Sequence, residues 1–154
     1  MRVRARMNFH QRFAKYWLPV ILWMGFIFWM STKTFSSEHT SPVVEKFLIF
    51  FLPGISSQEL DLIHTFVRKT AHVTEYFILG LLLFRAFRGG STSTWSYRWP
   101  FLAIIVVVLY AVSDEFHQSF ISGREASIVD VSIDTAGGIL AHLVSVWRHC
   151  YWKK

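Results

Sequence analysis

Four long apolar segments set the strongest limit on what this chain can fold into. They run from Tyr16 to Met30, His72 to Phe87, Pro100 to Val112 and Ile128 to Trp147. A helix that crosses a bilayer needs about 20 mostly apolar residues, and a chain that is 53% hydrophobic and 17% charged is unusual for a soluble fold. We therefore predict one all-α membrane domain over residues 1–154, a four-helix transmembrane bundle with spans at about 14–32, 68–88, 99–120 and 128–148.

Most basic residues flank the ends of these segments that would share one side of the membrane. Because cytoplasmic flanks are enriched in Lys and Arg, we predict that both termini are cytoplasmic (N-in, C-in). The net charge of +6 then indicates attraction to anionic inner-leaflet lipids and not to nucleic acid, since no basic patch interleaved with aromatic residues lies elsewhere. The flanking residues are Arg2, Arg4, Arg6, Arg12, Lys15, Arg85, Arg88, Arg98, Arg148, Lys153 and Lys154.

The segment between the first two spans contains more than a simple loop. Residues from Pro42 to Leu52 are apolar apart from one Glu and one Lys, and this length fits a helix lying in the outer interface. Ser56 followed by Glu59 has the spacing of a capping box, which predicts that the second helix begins outside the membrane.

Ionisable side chains on three of the predicted helices fall at one depth. At a rise of about 1.5 Å per residue, His72, Glu115 and Asp134 lie roughly 20 to 24 Å from the cytoplasmic ends of their helices. This level is the outer part of a hydrocarbon core about 30 Å thick, where an ionisable group costs a few kcal/mol. Such groups usually face a bundle interior or a water-filled cavity, so we predict one polar site between these helices.

Helical spacing places further polar residues of the second and fourth helices beside this site. Lys69, His72 and Tyr76 lie on one stripe at i, i+3 and i+7. Asp130 and Asp134 share a face that continues into small residues suited to close helix contact. Those small residues are Gly137, Gly138 and Ala141.

The third helix carries a polar segment near its outer end. Glu115 and Gln118 share a face there, whereas Asp114 and His117 form a second, partly rotated pair. Glu115 and Gln118 are therefore the members of this segment that we predict to line the site.

A short turn containing Arg124 joins the third and fourth helices and makes them antiparallel neighbours. Ser127 and Asp130 again have capping-box spacing, which gives Asp130 a structural role as an alternative to a binding role. The outward helix start, together with a guanidinium that can bind phosphate or carboxylate bidentately, would suit an anionic headgroup.

Several kinds of site remain compatible with these residues. His72 and Glu115 could act as a catalytic acid–base pair, with Lys69, Tyr76, Gln118 and the later acidic residues binding a ligand. The same charges could instead form an ion-pair network that only fixes the helices, or move protons or ions. No HExxH motif occurs, and we predict no metal and no cofactor.

Spaced motifs over about half of the chain resemble those of the VanZ-like family of bacterial membrane proteins. The first is a Lys-x-x-His-x-x-x-Tyr helix at Lys69, His72 and Tyr76. An Asp-Glu-x-x-Gln segment at residues 114–118, a Gly-Arg turn at 123–124 and a later Asp complete the pattern. Asp134 departs from it, because the family more often carries Asn there.

The resemblance implies a small multi-pass protein of the bacterial inner, or cytoplasmic, membrane. The namesake is associated with resistance to the glycopeptide teicoplanin, but the family pattern does not define a reaction. We therefore expect a protein of the cell envelope whose outward-facing polar pocket binds a lipid or envelope headgroup; an acid–base enzyme acting on a lipid-linked substrate is the alternative. Its expected partners are membrane lipids or lipid-linked envelope precursors, and it could also form a homo-oligomer.

Overall fold

A computed structural model describes residues 7–32, 50–51, 54–89, 91, 95–120 and 126–152. The main helices are α1 (Phe9–Tyr16), α2 (Leu18–Met30), α3 (Ser57–Arg88), α4 (Arg98–Gln118) and α5 (Ile128–Trp152).

The helices confirm the predicted class, an all-α protein whose helices can form a transmembrane bundle. Four stretches among the described residues are long and apolar enough to cross a membrane, and no strand occurs there. The first stretch combines α1 and α2 over Phe9–Met30, and the others are Ser57–Arg88, Arg98–Gln118 and Ile128–His149. The predicted interfacial helix lies outside the described residues except for Phe50 and Phe51, which are helical.

The second span begins with the predicted capping box. The Ser56 side chain accepts a hydrogen bond from the Glu59 backbone N–H, and the Glu59 carboxylate accepts one from the Ser56 N–H. The helix continues for 32 residues, or about 48 Å, which exceeds a hydrocarbon core of about 30 Å. It ends at Arg88 and is capped by Gly89, whose φ of 56° is the left-handed conformation that glycine adopts without strain.

Small residues allow α3 and α5 to approach each other closely. A Cβ added to Gly80 would lie 2.9 Å from the Ala141 Cβ, and one added to Gly137 would lie 2.5 Å from the Val73 carbonyl oxygen. On the α4 side, a Cβ on Gly138 would meet a Val107 methyl at 2.6 Å. The predicted small-residue stripe of the last helix is thus a contact surface shared by three helices.

The first span contacts other helices through hydrogen bonds from side chains to backbone carbonyl oxygens. The Trp23 indole N–H donates to the Glu75 carbonyl oxygen at 2.9 Å, and the Tyr110 hydroxyl donates to the Met24 carbonyl. At the basic end of the bundle, Arg12 donates to the Gly89 carbonyl oxygen and Arg85 to that of Lys15. Large apolar side chains remain on the outside of the bundle, including Leu109, Phe116 and Leu143, as contact with lipid tails requires.

The orientation of this bundle stays a prediction, and fusions to the C-terminus test it. Because we expect the chain end after α5 to be cytoplasmic, a green fluorescent protein fused there should fluoresce and an alkaline phosphatase fused there should be inactive. The same fusions placed after a chain truncated between residues 33 and 49 should behave in the opposite way. An active phosphatase at the full-length C-terminus would reverse the assigned orientation.

Candidate functional site

The most buried ionic contact of the described residues joins α3 to α5. The Nδ1 atom of His72 lies 3.1 Å from Oδ1 of Asp134, whose side chain is completely buried. The His72 side chain is 18% exposed. A carboxylate bonded to one ring nitrogen fixes the orientation of the imidazole and leaves the other nitrogen available to a ligand.

A second, looser contact lies one helical turn from the first, toward the start of both helices. Lys69 Nζ is 3.7 Å from Asp130 Oδ1, and both side chains are partly exposed. Asp130 also donates its backbone N–H to the Ser127 hydroxyl at 3.4 Å, which is half of the predicted capping box. Ion pairs with this exposure contribute little to stability, so Lys69 can exchange Asp130 for another anion at low cost.

Glu115 connects the end of α4 to the start of α5. Its carboxylate is buried, and Oε2 accepts a hydrogen bond of 2.8 Å from the Ser127 backbone N–H. The proposed catalytic pair of His72 and Glu115 shares no hydrogen bond in the described part of the chain, because His72 bonds to Asp134 instead.

The other polar residues of α4 turn toward the end of α2. Oδ2 of Asp114 accepts hydrogen bonds from the Ser31 hydroxyl at 2.9 Å and from the Gln118 amide at 3.1 Å. All three residues are buried. Gln118 therefore bonds to Asp114, the residue that we had assigned to the second, partly rotated pair of this segment. His117 points to α2 as well, with its ring 4.4 Å from that of Phe28.

Sequence reasoning missed Ser31 and undervalued Asp114. Two signals could have identified them. Ser31 is the first polar residue after the apolar stretch of α2 and so lies near the outer level of the bundle. Asp114 and Gln118 are four residues apart, the spacing at which helix side chains bond to each other.

Four buried side-chain oxygens in this region have no hydrogen-bond partner among the described residues. They are Oη of Tyr76, Oδ1 of Asp114, Oε1 of Glu115 and Oδ2 of Asp134. Tyr76 and Asp134 are fully buried, and Asp114 and Glu115 are 3% and 4% exposed. Native proteins pair nearly all buried polar atoms, so four unpaired oxygens in one region need an explanation.

The residues that carry these four oxygens are connected by electrostatic interactions. The charges of Asp114 and Asp134 act on His72, Tyr76 and Glu115, which come from α3 and α4. We call the group of Lys69, His72, Tyr76, Asp114, Glu115, Gln118, Asp130 and Asp134 the polar cluster.

One predicted ligand-binding residue lies outside the part of the chain that the structure describes. Arg124 and its turn lie outside the described residues. Within the described ranges, no three His, Cys, Asp or Glu side chains are grouped as ligands of one metal ion.

Comparison with known proteins agrees with the resemblance of the motifs. The family model described as VanZ/LLP1 matches residues 16–149. No curated protein and no solved structure matches this chain. Because the matched region includes all four candidate spans except the start of the first, the chain belongs to the VanZ/LLP1 family.

Proposed function

We propose that this multi-pass membrane protein uses its polar cluster to bind the headgroup of a membrane lipid or of a lipid-linked envelope precursor. Its site of action would be the bacterial cytoplasmic membrane, with the cluster facing outward. Through that binding it would alter the cell envelope and contribute to glycopeptide resistance, in particular to teicoplanin. The unpaired oxygens of Tyr76, Asp114, Glu115 and Asp134 carry the proposal. A buried polar atom left without a partner costs about 1 to 3 kcal/mol, and a bound headgroup would recover that free energy.

The packing beside the cluster favours binding over passage through the membrane. One turn from Asp134, Gly137 lies against the backbone of Val73, and Gly138 contacts the side chain of Val107. These contacts leave too little space between α3, α4 and α5 for a chain of water molecules. At the opposite end of the cluster Lys69 is partly exposed, so a headgroup would enter from there.

Substitution of Glu115 by glutamine tests this function directly. The amide has nearly the same shape but lacks the charge, and hydrogen bonds to charged groups contribute roughly 1.5 to 3 kcal/mol. We expect lipid retained by the purified protein, measured by native mass spectrometry, to fall about tenfold or more. A teicoplanin-susceptible host expressing the variant should lose whatever protection the unaltered protein gives.

A matched control is available on the same helix as His72. Glu59→Gln removes an equally sized charge from the exposed cap of α3 and keeps the capping-box residue type. It should leave lipid retention and the unfolding temperature unchanged. If Glu115→Gln retains lipid but unfolds at a much lower temperature, the cluster is a structural network and the proposed function is wrong.

The His72–Asp134 contact favours one second candidate, an acid–base enzyme that acts on the bound headgroup. A buried carboxylate on Nδ1 holds the ring so that Nε2 could accept or donate a proton. Glu115→Gln would then abolish turnover while leaving the fold intact. Purified protein incubated with extracted membrane lipids should change their headgroup composition if the enzyme hypothesis is correct, and should only bind them if it is not.

A further inference from the structure

We propose that the basic end of the bundle holds the phosphate of an anionic phospholipid against Arg12, Lys15 and Arg85. These three side chains, which we call the basic patch, lie at the end of the bundle opposite the polar cluster. The patch is therefore a second site, and it goes beyond the function proposed above. The net charge of the chain indicates only a general attraction to anionic lipids, whereas the contacts between α1 and α3 define one place for a headgroup.

Hydrogen bonds and ring contacts hold the basic patch together. A terminal nitrogen of Arg12 lies 3.2 Å from the Gly89 carbonyl oxygen, and a terminal nitrogen of Arg85 lies 3.1 Å from that of Lys15. Lys15 Nζ and the guanidinium carbon of Arg85 lie 5.4 and 5.7 Å from the centroid of the buried Tyr16 ring. Three cations from two different helices thus share one part of the surface.

Within the described residues, no acidic side chain neutralises these cations. Residues 1–37, 76–113 and 135–154 contain no Asp or Glu. The last carboxylate on α3, that of Glu75, lies ten residues before Arg85, or about 15 Å along the helix. Neither ion pair of the described part of the chain includes a member of the basic patch. Because like charges at one place repel each other, an anion bound beside them would be stabilised.

The basic patch also retains hydrogen-bond donors for such an anion. A guanidinium has five N–H donors, and the bonds of Arg12 and Arg85 to backbone carbonyls each use one terminal nitrogen. These bonds orient the two side chains, whose other donors can bind phosphate oxygens. The exposed Lys15 ammonium contacts the Tyr16 ring and donates no hydrogen bond within the described residues. Three side chains can therefore offer donors to a phosphate.

Apolar side chains beside the basic patch favour a lipid over free phosphate. Phe9 and Phe13 on α1 are 77% and 44% exposed. Trp17, at the junction of α1 and α2, packs edge-on against Phe87 with the ring centroids 5.3 Å apart. Aromatic side chains beside cations at the end of a span are typical of the membrane interface. A phospholipid could place its phosphate on the patch and the first methylenes of its acyl chains against these rings.

Binding of short-chain lipids to the full-length protein in detergent tests this site. The probes are dihexanoyl phosphatidylglycerol, which is anionic, and dihexanoyl phosphatidylcholine, which is zwitterionic. Binding is followed by isothermal titration below their micellar concentrations, in about 0.15 M salt so that distant charges are screened. We expect phosphatidylglycerol to bind about tenfold more tightly. Equal binding of the two lipids would overturn the proposal.

Arg85→Gln and its matched control Arg98→Gln separate a defined site from diffuse attraction. Arg98 is exposed at the same end of the bundle, and none of the hydrogen bonds or ring contacts of the described residues joins its side chain to α1. We expect Arg85→Gln to weaken phosphatidylglycerol binding about fivefold or more, and Arg98→Gln to leave it unchanged. Equal losses in the two variants would mean that only the net charge matters, and the defined site would be wrong.

Lys15→Gln keeps the test decisive even if Arg85→Gln does not fold. The Lys15 side chain is exposed and donates no hydrogen bond within the described residues, so its loss should not change the unfolding temperature of the lipid-free protein. It should still weaken phosphatidylglycerol binding about fivefold. Unchanged binding in Lys15→Gln would remove this cation from the site and overturn the proposal as stated.

Inorganic phosphate separates a lipid from a free anion as the occupant of the basic patch. We expect it to bind at least tenfold more weakly than phosphatidylglycerol, because it has no acyl chains to bury against the aromatic rings. Binding as tight as that of the lipid would overturn a lipid as the occupant.

Glu115→Gln distinguishes the basic patch from the polar cluster. It should leave phosphatidylglycerol binding at the patch unchanged, so failure of this site and failure of the proposed function are seen separately. If it weakened phosphatidylglycerol binding as much as Arg85→Gln does, the lipid would not occupy the basic patch and this proposal would be wrong. A wash in about 0.5 M salt should remove lipid from the exposed patch, so lipid retained by the polar cluster is counted after that wash.

Discussion

Gly137→Ala is expected to prevent the close packing of α5 against α3. The added Cβ would lie 2.5 Å from the carbonyl oxygen of Val73 and 3.2 Å from its Cα and carbonyl carbon. These are backbone atoms of a continuous helix, so no side-chain rotation can relieve the clash. Overpacking of this kind costs about 1 to 3 kcal/mol or more. The unfolding temperature of the protein purified in detergent should fall by several degrees, and lipid retention should fall with it because Asp134 lies one turn away.

Gly25→Ala is the matched control for this prediction. Gly25 is exposed on α2, and a Cβ there would have no neighbour within 4 Å. The substitution should be neutral or slightly stabilising, since alanine is favoured over glycine in helices by roughly 1 kcal/mol. Gly138→Ala should have an intermediate effect, because its closest neighbour is a Val107 side chain that can move. If Gly137→Ala were as stable as Gly25→Ala, the helices would be farther apart than described.

The fold class could be predicted from the sequence because the bilayer imposes it. A stretch such as Pro100 to Val112 is too apolar for a loop, and a single chain in hydrocarbon must satisfy its backbone within helices or closed barrels. The period and length of the apolar segments then identify helices. The capping box of Ser56 and Glu59 could be predicted for a similar reason, because both of its hydrogen bonds lie within four residues of sequence.

The depth of the site could also be predicted, but the pairing of its residues could not. Counting residues along a helix gives height, and His72 and Asp134 do lie at one level, close enough to bond. Which side chains meet at that level depends on the rotation of each helix about its axis. Neighbouring residues differ by about 100°, so the rotation of α4 about its axis decides whether Asp114 or Glu115 faces a given partner.

The first span contacts the face of α4 on which this rotation depends. Tyr110 bonds to the Met24 carbonyl on α2, and Ser31 bonds to Asp114. Together they place one face of α4 against α2, so Asp114 and Gln118 turn toward Ser31 while Glu115 reaches the start of α5. The Ser31 hydroxyl and the Asp114 carboxylate come from residues 83 positions apart in the chain, and residue spacing along one helix cannot predict such a bond, which explains why Ser31 was missed.

Two substitutions of Asp134 distinguish a role that needs only a hydrogen-bond acceptor from a role that needs a negative charge. Asp134→Asn keeps an oxygen that can accept from the His72 Nδ1–H. We therefore expect only a small loss of stability for Asn, even if lipid binding weakens with the loss of charge. Asp134→Ala removes the acceptor and leaves His72 partly buried without its partner. Breaking a buried pair in this way costs about 3 to 5 kcal/mol.

Asp130→Ala provides the comparison within the same helix. It makes the same substitution one turn away, where the pair with Lys69 is partly exposed, and should cost about 1 kcal/mol or less. Asp134→Ala should therefore have the lowest unfolding temperature of the three variants. Asp134→Asn should have the highest, or one equal to that of Asp130→Ala. If Asp134→Asn were as damaging as Asp134→Ala, the buried negative charge itself would stabilise the bundle. In that case the His72–Asp134 pair would be part of the fold, and headgroup binding would depend on the other carboxylates of the polar cluster.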